Sequence, residues 1–263
     1  MFYIVFSFRK SMYFPIIIKS QTLSEAWQMA VTEIMKNGHD REVKAPEYRC
    51  WTKDAPMFII VNKPMQEPRL HPLCPVPKEN ADEYMNHIIH GQPSAEAENQ
   101  FDYTYFSRLR DYPECMNRAD LPGRNVNDEE LMAGKECNIR RIDQVQMAID
   151  TLKKDPTRRS IVMNTWIVGR DSMKFGKREK TSSPCLATMH PQIVDGKLHL
   201  FVTMKTNDLY NAWALNAYGF TGLQEYMAKE LGISVGSYTH FSVSMQVYED
   251  MYEMANELMN YGG

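Results

Sequence analysis

Apolar, aromatic and β-branched residues crowd into two short runs at the start of the chain. Met1–Phe8 and Phe14–Ile18 each predict a strand. The period then changes. Leu23, Ala26, Trp27, Ala30, Val31, Ile34 and Met35 recur at helical spacing. Thr22-Leu-Ser-Glu25 has the form of a capping box in front of them, and Gly38 stands at the C-cap. This is the clearest amphipathic helix in the chain. Residues 39–80 are proline-rich and broken, with one strand predicted at Phe58–Val61. Arg118–Lys135, charged and holding Gly, Pro and Asn, reads as a surface loop. Ile142, Val145, Ile149 and Leu152 predict a second helix that stops at Asp155-Pro156. Ser160–Val168 reads as a buried strand, and Gly169–Ser183, with many charges and two glycines, as an exposed excursion. Met189–Val194 and Leu198–Met204 flank Asp195-Gly196, a hairpin signal. Tyr218–Leu231 predicts a third helix closed by Gly232, and Tyr238–Tyr248 a last strand. Without an internal repeat or a linker, the pattern predicts one α+β domain over residues 1–263, a large mixed sheet with flanking helices.

Composition narrows the class. A chain of 263 residues buries a substantial core. Its net charge of −3 argues against broad nucleic-acid binding, which needs a basic face, while leaving room for a local phosphate pocket. None of the five cysteines (Cys50, Cys74, Cys115, Cys137, Cys185) forms a C-x-x-C pair, so no zinc or other metal site is expected. Scattered cysteines fit a reducing compartment. Arg9 and Lys10 interrupt the apolar start, no cleavage-site pattern follows, and no stretch reaches membrane-spanning length. The expectation is a soluble, cytoplasmic protein without a membrane partner.

Candidate chemistry centres on Cys185, which follows Ser182-Ser183-Pro184 after a basic stretch and just before a strand. It is either a structural cysteine or a reactive thiol, and a reactive thiol needs cations near it. Arg158, Arg159 and Lys205 are the candidates. Arg158-Arg159, at a strand entrance, either grips a phosphate through forked hydrogen bonds or is a solvated pair. Lys205-Thr206-Asn207-Asp208 ends a hairpin strand as a ligand site or a polar turn. Asn216 lies in the otherwise apolar run Ala212–Ala217, where a buried amide must find partners in the protein or in a ligand.

In order and spacing these segments resemble the thymidylate synthase family, most nearly its short archaeal-type branch. The resemblance rests on Ile142-Asp-Gln144, Asp155-Pro-Thr-Arg-Arg-Ser-Ile-Val162, Trp166, Pro184-Cys185, Gln192–Leu198, Lys205-Thr-Asn-Asp208, Asn216-Ala-Tyr218 and Gly236-Ser-Tyr-Thr-His240 through Tyr248-Glu249. It is good from about Tyr103 to Tyr252. It implies that the Cys185 thiolate adds to C6 of a pyrimidine nucleotide, so that C5 takes a one-carbon unit from 5,10-methylenetetrahydrofolate. Hydride transfer then gives a methyl group, as in a synthase. Addition of water gives a hydroxymethyl group, as in a hydroxymethylase.

The same resemblance implies a homodimer in which Arg158 and Arg159 reach the phosphate in the neighbouring site. It gives Lys205 and Thr206 to the phosphate of their own site, Asn216 to the base, Tyr248 and Gln246 to the ribose region, and Asp208 to the folate pterin. Tyr105 helps to order the water used in proton removal, and Glu83 is the candidate general-base carboxylate. Several positions depart from the family pattern. Lys205 stands for an arginine, Gln246 and Leu186 for histidines, and no tryptophan lies between Trp51 and Trp166. The chain closes on Tyr261-Gly-Gly263 without the usual apolar lid residue. A more open site favours capture by water, which keeps the hydroxymethylase alternative open. The neutral amide of Asn216 suits uracil, and so a uridylate, better than cytosine. A nucleotide-binding relative without turnover is a further alternative, against which Cys185, Asp208, Asn216 and the arginine pair argue. A cysteine hydrolase would need a histidine base, and His190, His199 and His240 show no triad spacing.

Overall fold

A computed structural model describes residues 13–44, 49–91, 103–116, 138–171 and 183–261. The strand expected at Met1–Phe8, the loop at Arg118–Lys135 and most of the Gly169–Ser183 excursion lie outside these residues. The frame is a mixed sheet of seven strands among the described residues, in the order β1-β3-β9-β8-β7-β6, with β2 on the outer part of β3. The strands are β1 (Ile16–Ser20), β2 (His39–Lys44), β3 (Arg49–Val61), β6 (Met163–Asn164), β7 (Leu186–Val194), β8 (Lys197–Asp208) and β9 (Ser234–Tyr248). A separate small ribbon pairs β4 (Tyr112–Met116) with β5 (Asn138–Ile142). The expected α+β architecture with a large mixed sheet is therefore present.

Two parallel pairings, β1 with β3 and β8 with β9, each require a crossover, and helices supply it. Helix α1 (Leu23–Asn37) follows β1. Its capping box forms as read, with Glu25 N–H donating to Thr22 Oγ1 and the Glu25 carboxylate accepting from Thr22 N–H. Helix α5 (Ala214–Leu231) joins β8 to β9 and ends on Gly232 at φ 69°, a left-handed cap. These helices pack one sheet face into a core containing Trp27, Met57, Ile59, Leu200, Val202, Met204 and Phe220. On the opposite face Ile17, Phe201 and Val243 stay exposed, and Phe58 stacks on Phe241 at 4.3 Å between centroids.

The hairpin read at Asp195-Gly196 joins β7 to β8, with both turn residues at positive φ (49° and 69°). Other expectations need correction. The first strand runs Ile16–Ser20 and not Phe14–Ile18; Pro15 has no N–H to pair. Residues 39–44 and 49–61 are not broken, since they form β2 and β3, which pair antiparallel. Pro56 sits where the β3–β9 register slips between Ala55 and Met57, which lets a strand tolerate it. Ile142 closes β5, and helix α4 (Gln144–Lys154) begins after the cap Asp143, whose Oδ1 accepts from Gln146 N–H.

Ser160–Val168 is not a buried strand. Only Met163–Asn164 pair with β7, while Val162 and Val168 are exposed. The side-chain amide of Gln144 explains this. It donates to Asn164 O and accepts from Asn164 N–H, both at 2.8 Å, and so does the work of a neighbouring strand. Helix α2 (Lys78–His90), with Ala81, Ile88 and Ile89 buried, and α6 (Tyr252–Met259) were not predicted. Neither was the short helix α3 (Tyr105–Leu109).

Candidate active site

The site forms where β7 begins, β8 ends and α5 starts. Cys185 directly precedes β7, and its carbonyl accepts from Lys205 N–H at 2.8 Å, which fastens it to β8. Its thiol is free and half-buried. The Thr206 hydroxyl donates to Cys185 Sγ at 3.4 Å, within range for a sulfur acceptor. The Lys205 ammonium donates to Ser183 Oγ at 2.6 Å and lies 5.3 Å from the centroid of the Trp166 ring. A cation, a hydroxyl and the thiol thus share one strand end.

Tyrosines form the other wall. Tyr103 OH donates to Ser183 O at 3.4 Å, and its ring lies 6.1 Å from that of Tyr105. Tyr84 enters from α2. Burial pushes the phenols of Tyr84, Tyr103 and Tyr105 upward, and negative charge on the nearby Cys185 adds to the rise in all three. The phenols stay protonated and are available as donors; Tyr103 gives its proton to Ser183 O. Two glycines of α5 bring Tyr84 here. A Cβ at Gly219 would stand 2.7 Å from Ile88 Cδ1 and 3.0 Å from the Tyr84 ring, and one at Gly222 would stand 2.3 Å from Met85 Sδ. The Gly219-x-x-Gly222 seam therefore sets how closely α2 packs on α5.

That packing aims the Tyr84 hydroxyl at Asn216, which accepts it at Oδ1 at 2.7 Å. Asn216 is 7% exposed, and its Nδ2 donates to Asn207 Oδ1 at 3.2 Å. Each half of the amide has one protein partner. One N–H and one carbonyl lone pair remain.

Asp208 caps a π-helical turn, Leu209–Trp213, that leads into α5; its Oδ1 accepts from Tyr210 and Asn211 N–H, and its Oδ2 from Asn211 Nδ2. Burial pushes its carboxyl up. Gln246 faces Asp208 in the β8–β9 register, and its Nε2 donates to Tyr248 OH at 2.8 Å.

The remaining expected site residues lie apart. Arg158 and Arg159 are exposed. Arg158 borders an open cleft of about 430 Å³ lined also by Gln144, Met147 and Asn164. No hydrogen bond or ion pair among the described residues joins either arginine to Cys185, Lys205 or Thr206. Glu83 is exposed on α2; its neighbour Tyr84 is the residue that helix sends to the site.

No histidine among the described residues hydrogen-bonds the thiol. His190 meets Thr188, His199 meets Ser237, and His240 meets Asn207, Tyr238 and Ser242, which removes the basis for a cysteine–histidine hydrolase. Sequence reasoning missed Tyr84, Tyr103 and Asn207 as parts of this site. The helical spacing of Ala81, Met85, Ile88 and Ile89 was available as a sign of α2, but nothing in it separates Tyr84 from an ordinary core aromatic.

A family profile described as “Thymidylate synthase” matches residues 6–261. Among individual relatives, a protein of Methanocaldococcus jannaschii is 28% identical over 233 residues, 89% of this chain and 90% of its own length. One of Methanosarcina barkeri is 25% identical over 244 residues, 92% of this chain and 94% of its own length. Both carry the name “Putative thymidylate synthase”. A protein of Pseudomonas phage M6 named “Deoxyuridylate hydroxymethyltransferase” is 32% identical over 111 residues, 41% of this chain and 30% of its own length.

Proposed function

The chain belongs to the thymidylate synthase family of one-carbon transferases, and from that premise we propose that it converts deoxyuridylate to thymidylate at Cys185. The observation that carries this reading is the setting of one half-buried thiol. Thr206 and Lys205 stand on one side of it, and a tyrosine wall leads to the Asn216 amide on the other. The thiol adds to C6 of the base, with the Thr206 hydroxyl donating to its sulfur. Lys205 and Thr206 hold the phosphate of the same nucleotide. The spare N–H and lone pair of Asn216 meet O4 and N3–H of uracil. Tyr84, Tyr103 and Tyr105 exclude bulk water from the ring, and Tyr105 orders the water that accepts the C5 proton. Gln246 and Tyr248 border the ribose. The geometry lends no support to Glu83 as the base.

A reduced folate, when bound, supplies the one-carbon unit and the hydride. The residues fit such a group at Asp208, since Oδ2 accepts one bond and keeps a lone pair for an N–H of a pterin. Dimer formation follows from the same reading. A second copy laid on the exposed sheet face would bury Ile17, Phe201 and Val243, and in this reading the exposed Arg158 and Arg159 serve the phosphate of the neighbouring site.

A second reading, deoxyuridylate hydroxymethylation, is favoured by the name of the phage relative and by the lack of tryptophan between Trp51 and Trp166. One experiment separates the two. The protein is incubated with dUMP and methylenetetrahydrofolate, and the products are weighed by mass spectrometry. Thymidylate with dihydrofolate is the expected result; a hydroxymethyl product with tetrahydrofolate retained selects the second reading. Release of C5 tritium should vanish in Cys185→Ala while dUMP binding persists. Normal release in that variant, or none in the wild type, ends the proposal.

A further inference from the structure

The bonds beneath Asn216 form a chain with a direction. Asn216 Nδ2 donates to Asn207 Oδ1, and Asn207 presents its own Nδ2 to Met204 Sδ at 3.3 Å and to His240 Nε2 at 3.5 Å. Beyond it, His240 Nδ1 lies 2.9 Å from the Tyr238 hydroxyl, and Nε2 lies 2.9 Å from Ser242 Oγ. Asn207 is 3% exposed, and Met204, Tyr238, His240 and Ser242 are 0% exposed. Bulk water offers these groups no other partners.

Direction matters because an amide turned by half a rotation fills the same space with donor and acceptor exchanged. A reversed chain would close equally well at most links. Tyr238 would donate to His240, His240 to Asn207, Asn207 to Asn216, and Asn216 to Tyr84. Met204 breaks the tie. A thioether accepts weakly and has no proton to give, so the nitrogen of Asn207 faces it. The Asn207 carbonyl then turns to Asn216, and His240 Nε2 must accept. The imidazole proton sits on Nδ1 and goes to Tyr238. Burial holds the ring neutral, its pKa pushed down to about 3, so it does not donate from both nitrogens.

We propose that Asn207, His240 and Met204 are specificity-determining positioning residues, which lock the Asn216 amide in the orientation that accepts uracil and rejects cytosine. The inference rests on the reading of Asn216 as the base contact. Uracil offers O4 to the spare Nδ2 hydrogen and N3–H to the spare Oδ1 lone pair. Cytosine offers an amine and a bare N3, which need the amide reversed. Reversal would set the Asn216 carbonyl against that of Asn207, or turn Asn207 so that its carbonyl faces the Met204 sulfur.

Two substitutions at Asn207 test this by the ratio of dissociation constants for dCMP and dUMP, with melting temperature measured alongside. Asn207→Leu removes the acceptor and frees the Asn216 amide to turn, so the preference for dUMP should fall about tenfold. Asn207→Asp still accepts from Asn216, and His240 can meet it in the other tautomer. That variant should keep the preference, although a buried carboxylate costs more stability. Selectivity and stability therefore move in opposite directions, which a merely structural role would not produce.

An unchanged ratio in Asn207→Leu, or equal losses in both variants, overturns the proposal. Should Asn207→Leu not fold, long-range ¹⁵N NMR of wild-type His240 decides. The Nδ1–H tautomer supports the relay, and the Nε2–H tautomer refutes it. A wild type that binds neither nucleotide sinks the functional reading, and the relay with it. That outcome is distinct from a wild type that discriminates and an Asn207→Leu variant that discriminates equally.

Discussion

Replacing Asp171 by Asn should destabilise the protein more than any exposed substitution, because it strands a buried cation. Arg108 and Asp171 form a forked pair, Nη1–Oδ2 and Nη2–Oδ1 both at 2.9 Å, with side chains 2% and 0% exposed. Arg108 also donates to Thr165 O, and Asp171 Oδ2 accepts from Ile167 N–H. The pair ties α3, which carries Tyr105, to the segment that leads toward the nucleophile. An isosteric amide removes the countercharge and leaves the guanidinium desolvated. Breaking one side of such a pair costs about 3–5 kcal/mol. For a chain of this size that is roughly 6–20 °C in melting temperature.

Urea unfolding followed by tryptophan fluorescence reads the change, since Trp27 and Trp213 are buried. The double replacement Arg108→Met with Asp171→Leu removes both charges and should recover more than half the loss. A residue of about 1–2 kcal/mol should remain for the orphaned Ile167 N–H. A loss below about 1 kcal/mol in Asp171→Asn would show that the cation finds another partner or water. A double variant no more stable than the single one would show that packing, and not desolvated charge, sets the cost. Either result refutes the reasoning.

Neutral burial of His240 makes stability depend on pH. The unfolded imidazole binds a proton below about 6.5 while the folded one waits until about 3, so this contribution is intact above 6.5 and is lost as pH falls toward 3. Between pH 6.5 and 5 the wild type should lose roughly 2 kcal/mol more than His240→Gln in urea titrations, and parallel slopes would contradict the assignment. Gly219→Ala should push on Ile88 and the Tyr84 ring, costing about 1–3 kcal/mol and weakening dUMP binding; calorimetry showing stability lost with affinity intact would separate Tyr84 from the site. Asn216→Asp should move preference toward cytidylate, and competition binding of dUMP against dCMP that leaves the ratio unchanged would count against Asn216 as the base contact.

Local physics made much of this protein legible in its sequence. The capping box at Thr22, the positive-φ turn at Asp195-Gly196 and the glycine cap at 232 depend on neighbours within a few residues, and each formed as read. The ordered motifs around Cys185, Lys205 and Asn216 resembled those of the family whose profile the chain matches. Tertiary packing decided the rest. Val162 lies exposed in a segment rich in strand formers because Gln144, some twenty residues earlier, satisfies Asn164 from the side. Tyr84 reaches Asn216 only because Gly219 and Gly222 let α2 approach α5. The direction of the amide chain is set by Met204 and His240, brought beside Asn207 by its own strand and the adjoining one. Such long-range contacts leave no periodic trace in the chain. A side chain's hydrogen-bonding role is fixed by what folding sets against it.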